Sequence, residues 1–221
     1  MKRLVPLLSF GIMNLFPAAA QTNPKEYRFD RKQVVFEDHF DDDRNYWLKD
    51  TTTAEVPVTA IPNGTITGGC LRYHVMKDSI PQAAGILLPI DPQKNFEIEF
   101  SIKLEPGHKK RDLAGILFWG RKEKEQATYL YQYGNGAFLM LSCNNAPGEK
   151  CPVRRRKASH FKEGQFNKIT LRRHRDRYYL FVNESFTGTF PFQPLAGDKL
   201  GLGSGPGSSM VCDDIRVSYL D

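Results

Sequence analysis

The sequence predicts an all-β protein, a sandwich or barrel folded as one domain, and three observations carry that prediction. From Val34 onward nearly every readable segment alternates apolar and polar residues at period two. The 18 glycines and 14 prolines fall in short punctuating groups, as turns between strands require. No amphipathic helical pattern persists beyond two turns; residues 161–166 are the best short helical candidate. With 221 residues, 40% hydrophobic and 12% aromatic, the chain can bury a core without staples and is too apolar for disorder.

The chain opens on Lys2 and Arg3, an apolar stretch from Leu4 to Phe16, and Pro17-Ala18-Ala19-Ala20. A basic start, a short apolar run and small residues at −3 and −1 predict a secretory signal peptide over 1–20. The apolar run is too short to span a bilayer, and no later stretch is apolar enough, so no membrane span is expected. Loss of Lys2 and Arg3 takes the formal charge from +6 to +4. Residues 21–33 are polar and unpatterned, a predicted flexible lead-in to a domain over 34–221. The expected location is the periplasm, the medium or the cell surface.

Within the domain, Asn95–Leu104 alternates cleanly: Phe96, Ile98, Phe100, Ile102 and Leu104 on one face, Glu97, Glu99, Ser101 and Lys103 on the other. Lys168–Arg172 and Tyr178–Val182 read as strands around a turn at Arg175-Asp176. Thr128–Tyr133, Gly134-Asn135-Gly136 and Ala137–Ser142 read as a hairpin, with a weaker one at Asn183-Glu184-Ser185. Ile215, Val217 and Tyr219 alternate with polar residues in a final strand.

Export makes the four cysteines a candidate disulfide framework with three pairings open. Cys143 and Cys151 bracket the turn-rich segment 144–150, which favours a local bridge between them and leaves Cys70 with Cys212. Free thiols and a metal site are the alternatives; no C-x-x-C or suitably spaced histidine favours metal.

The order of several motifs resembles the concanavalin A-like lectin/glucanase (LamG-like) domains of exported bacterial proteins, of the Bacteroidetes kind. These are Phe36-Glu37-Asp38-His39-Phe40 with Asn45-Tyr46-Trp47, Gly69-Cys70-Leu71-Arg72-Tyr73, Phe96–Leu104, Phe166-Asn167-Lys168-Ile169-Thr170-Leu171 and Asp213-Asp214-Ile215-Arg216-Val217. The resemblance spans residues 34–221. It implies a two-sheet antiparallel jelly-roll β-sandwich whose first and last strands lie side by side. That pairing would bring Asp38 and Asp41 to Asp213 and Asp214, a candidate site for a structural Ca²⁺, against the plainer reading of aspartate as a turn former.

Hydrolases of this fold carry a run of three acidic residues on one strand face. The nearest match is Glu97-Ile98-Glu99-Phe100-Ser101, with serine where the third carboxylate would stand, so no catalytic residue is assigned. The glycine-rich 201–207 lacks the last glycine and the helix of a dinucleotide loop, and His174-Arg175-Asp176 lacks the other kinase motifs. Trp119, Tyr129, Tyr131 and Tyr133 are the candidate carbohydrate-binding residues, if they line an open sheet face rather than the core. Two basic runs, Arg154–Lys157 and Arg172–Arg175 with Arg177, read as solvated faces or as contacts to acidic glycans; nucleic acid is not expected.

The function expected is an exported non-catalytic module that binds a glycan or cell-surface polysaccharide. A structural module contacting another exported protein is the alternative, and a glycoside hydrolase is third. Asn63 and Asn183 head N-glycosylation sequons expected to stay bare. Asp50-Thr51-Thr52 and Asp78-Ser79-Ile80 resemble short O-glycan acceptors.

Overall fold

A computed structural model describes residues 23–48, 64–75, 82–105, 113–122, 126–143, 153–192 and 197–221. For some strand residues, among them Phe118, Tyr129 and Cys143, only the backbone is described. The predicted signal peptide, Cys151, and the segments around Asn63, Asp50 and Asp78 lie outside the described residues. The Cys143–Cys151 expectation therefore does too.

The described residues form fourteen strands, numbered in chain order, in two antiparallel sheets. The eight-stranded sheet runs β12 (Ser185–Pro191), β11 (Arg177–Val182), β10 (Asn167–His174), β5 (Asn95–Leu104), β14 (Ser209–Leu220), β3 (Leu71–His74), β2 (Gly64–Ile66). Its remaining member, β1 (Lys32–Asp38), also pairs with β14. The six-stranded sheet runs β4 (Gln82–Leu87), β13 (Lys199–Ser204), β6 (Leu113–Lys122), β7 (Gln126–Tyr133), β8 (Ala137–Cys143), β9 (Val153–Lys157).

The last strand organises the larger sheet. One edge of β14 pairs with β5 from Met210↔Leu104 to Leu220↔Asn95. Its other edge is shared: β3 takes Ser209–Cys212 and β1 takes Ile215–Leu220. The division falls at a bulge where Asp214 adopts φ 48°. First and last strands therefore do lie side by side.

Alternation decides the core. Phe96, Ile98, Phe100, Ile102 and Leu104 of β5 are buried in one cluster with Leu117, Trp119, Leu130, Phe138 and Met140 of the smaller sheet. The β7–β8 hairpin forms as its sequence predicts. Gly136 sits at φ 73°, and a Cβ there would come within 2.8 Å of the Phe161 side chain, so glycine is required twice over. In the second hairpin Asn183 and Glu184 both adopt positive φ, 50° and 66°, as a type I′ turn demands.

Residues 161–166 are not helical. Asn167 accepts the Lys162 N–H at 2.7 Å and donates to the Lys162 carbonyl at 2.7 Å, while Gly164 takes φ 68°. This side chain pins a turn where the apolar spacing suggested a helix. The expected Cys70–Cys212 bridge is not formed; both thiols are free. Cys212 is buried in β14 opposite Leu71, and Cys70 is the residue before β3.

Candidate functional site

Strand alternation turns Glu97, Glu99 and Arg172 away from the core, yet Glu97 and Arg172 are fully buried. The cover is the segment 23–31, which the sequence presented as a flexible lead-in. It lies across the outer face of the larger sheet as a strap. Arg172 donates to the carbonyls of Pro24 (3.2 Å), Glu26 (2.6 Å) and Tyr27 (2.6 Å), and its Nε donates to Glu97 at 2.7 Å. The guanidinium also lies over the rings of Phe29 and Phe181, at 5.1 and 4.8 Å. Lys32 pairs with Glu97 and, at 3.5 Å, with Glu99.

Glu99 completes the lock. It accepts the Tyr27 hydroxyl at 2.8 Å and pairs with Lys168 at 3.3 Å. Burial pushes its carboxyl up in pKa, but Lys32, the Tyr27 hydroxyl and Lys168 together hold it below the usual range. Both acids of the run that resembles a glycosidase motif are thus consumed by ion pairs under the strap. Glu97 is fully buried, and Glu99 is held by three partners.

Beside the strap lies an open pocket of about 220 Å³, bordered by Glu37, His39, Glu99, Lys168, Asp214 and Arg216. His39 Nδ1 lies 2.5 Å from Asp214, and Arg216 binds Glu37. The hydrogen bond that Asp214 accepts raises the His39 pKa. These groups satisfy one another.

Two of the four aspartates expected to hold Ca²⁺, Asp38 and Asp214, are engaged by protein groups. Asp38 is buried, and its Oδ1 accepts the Phe40 N–H at 2.8 Å. Its Oδ2 accepts Asn45 Nδ2 at 2.6 Å and Trp47 Nε1 at 2.7 Å. Three N–H donors thus occupy most of the acceptor capacity of this carboxylate. Asp41 is exposed, Asp214 is held by His39, and no group of three or more acidic, histidine or cysteine side chains suited to a metal occurs among the described residues. The acidic motif is turn chemistry. Asp38 ties Asn45 and Trp47 into one cluster, with Trp47 edge-on to Phe40 at 5.6 Å.

The six-stranded sheet divides the candidate aromatics. Trp119 faces inward, 5% exposed, with its indole N–H on the Tyr178 hydroxyl at 3.2 Å and the two rings edge to face. It belongs to the core and not to an open face. The reason is register: Trp119 is paired with Leu200, itself fully buried. Tyr131 and Tyr133 alternate with buried Leu130 and Gln132, so they stand half-exposed on the outer face. Tyr129 holds the same register phase, and only its backbone is described. Tyr131 is paired with Leu139, and Leu139 with Arg155. Arg155 is exposed and lies over the Tyr133 ring at 6.0 Å.

None of the strands β4, β6, β7, β8, β9 and β13 contains aspartate or glutamate. No pair of strand carboxylates is therefore available on this sheet for glycosidic-bond cleavage.

No protein-family model matches the sequence, and no curated protein matches it. Solved structures do. The endo-β-1,3-glucanase from Pyrococcus furiosus aligns with TM-score 0.60 at 13% identity, covering 90% of this chain and 99% of that one. Porphyranase B from Zobellia galactanivorans aligns with TM-score 0.57 at 11% identity over 86% and 93%. The exoplasmic/lumenal domain of VIP36, in its Ca²⁺/Man3GlcNAc-bound form, aligns with TM-score 0.53 at 14% identity over 72% and 81%. The fold is a concanavalin A-like jelly roll, an architecture shared by glycanases and lectins. At these identities the likeness extends to the fold and not to the site.

Proposed function

We propose that this protein is an exported, non-catalytic carbohydrate-binding module whose ligand lies across the outer face of the six-stranded sheet at its β7–β9 end. One observation carries the reading: a sheet face bearing half-exposed Tyr131 and Tyr133 with no carboxylate in any of its six strands. Tyrosine rings stack on the apolar faces of pyranose rings while the hydroxyl stays wet. The pair of acids that cleavage needs is missing from these strands, and Glu97 and Glu99 are locked under the strap. The signal-peptide pattern at the N-terminus supports export, and no described helix is long and apolar enough to cross a membrane.

Affinity electrophoresis of the mature chain through a panel of polysaccharides tests this. Retardation by at least one polysaccharide, lost in the Tyr131→Ala/Tyr133→Ala double variant without loss of folding, is the expected result. Mobility unchanged in every gel, or release of reducing sugar by the wild type, would overturn it.

A further inference from the structure

Carboxylates are divided unevenly between the two sheets. The strands of the eight-stranded sheet mix both signs: Glu37, Asp38, Glu97, Glu99, Asp213 and Asp214 stand among Lys32, Arg72, Lys103, Lys168, Arg172, Arg173, Arg177 and Arg216. The strands of the six-stranded sheet hold only basic charges: Arg121, Lys122, Arg154, Arg155, Arg156, Lys157 and Lys199. A solvated surface ordinarily intersperses both signs, and strands without carboxylates leave their exposed cations without a neutralising neighbour in the same sheet.

Four of these residues are consecutive on β9, and the structure separates their roles. Arg156 is paired with Phe138, a fully buried residue, and reaches across to the other sheet. It donates to the Thr189 carbonyl at 2.9 Å and lies over the Phe190 ring at 5.5 Å. Its side chain packs where a Cβ on Gly188 would come within 2.5 Å of it. Arg156 is structural. Arg155 and Lys157 alternate with it, so they stand on the outer face with Tyr131 and Tyr133, and both are exposed. Among the described residues neither pairs with a carboxylate.

We infer, building on the glycan-binding reading above, that the ligand is an anionic polysaccharide. Arg155 and Lys157 receive its sulfate or carboxylate groups while Tyr131 and Tyr133 stack on its rings. A guanidinium presents paired N–H donors that match the oxygens of either anion, and the ring beneath Arg155 holds it in place. Basic residues on an edge strand also discourage edge-to-edge pairing. That need does not require the other five strands to lack carboxylates.

The test is affinity electrophoresis with three probes: dextran sulfate, polygalacturonate and neutral laminarin. Wild type is compared with Arg155→Gln/Lys157→Gln, and with Arg28→Gln/Arg177→Gln as a control of equal charge change on exposed positions elsewhere. The expected result is retardation by a charged probe, weakened about tenfold or more in the β9 variant and little in the control. The sulfated and carboxylated gels then say which anion is read. Equal weakening in both variants would reduce the effect to net charge and overturn the inference. Binding to laminarin alone would overturn it while leaving the glycan reading standing, and no binding in any gel would overturn both.

Discussion

Arg172 is the residue whose removal should cost the fold most for its size. Its side chain and that of Glu97 are both fully buried, and it serves three strap carbonyls as well as the carboxylate. In Arg172→Ala those carbonyls lose their donors, Glu97 keeps only Lys32, and the contacts to Phe29 and Phe181 vanish. Breaking a buried pair by deleting one partner costs about 3–5 kcal/mol. A chain of this size loses about 2–4 °C in Tm per kcal/mol, so the midpoint should fall by roughly 6–20 °C. Urea melts and scanning calorimetry of the mature chain measure it directly. The strap makes a second arm possible. Deleting residues 21–31 exposes Arg172, so Arg172→Ala in that background should cost under about 1 kcal/mol, as for an exposed ion pair. A cost in the full chain below about 1 kcal/mol, or an equal cost in both backgrounds, would refute the assignment of the strap as an integral part of the domain.

Further expectations follow from the same contacts. Because the Glu99 pKa is lowered on folding, its contribution is present above the unfolded carboxylate range and is lost as pH falls; strap release, read by limited proteolysis between residues 23 and 31, should therefore rise below about pH 4. His39 has a raised pKa, so its pairing with Asp214 contributes below the unfolded histidine value and fades as pH rises through the folded one; NMR titration of His39 should move toward the ordinary value in Asp214→Asn. Gly136→Ala forces a side chain into positive φ against Phe161 and should destabilise by at least about 1 kcal/mol in urea melts, where Gly164→Ala, with nothing within 4 Å, carries only the backbone strain. EDTA should leave the Tm unchanged, since Asp38 spends its oxygens on N–H donors.

The sequence made the strands legible because period two and turn chemistry are local. Asn95–Leu104 and the β7–β8 hairpin could be read residue by residue, and the side-by-side pairing of first and last strands followed from the resemblance. The site was legible only in part. Tyr131 and Tyr133 fall on the outer face, but Trp119, from a neighbouring strand, falls inward because its phase is set by pairing with Leu200. The strap was invisible for a different reason. Its hold on the sheet runs through main-chain carbonyls of residues 24–27, which carry no side-chain signature, to an arginine about 145 positions away. Arg172 stood in a basic run that reads as a solvated face, and only the covering segment shows that it is buried. The Phe36–Phe40 and Asn45–Trp47 motifs did carry information, about hydrogen bonding around Asp38 within one turn.

Hydrogen–deuterium exchange of the mature chain with and without the charged polysaccharide that retards it, dextran sulfate or polygalacturonate, tests the central claim most directly. Bound glycan should slow exchange across 126–143 and 153–157, where β7, β8 and β9 present Tyr131, Tyr133, Arg155 and Lys157, and leave 23–31 unchanged. Protection confined to the strap, or to the pocket around His39 and Asp214, would place the ligand on the other sheet and contradict the account.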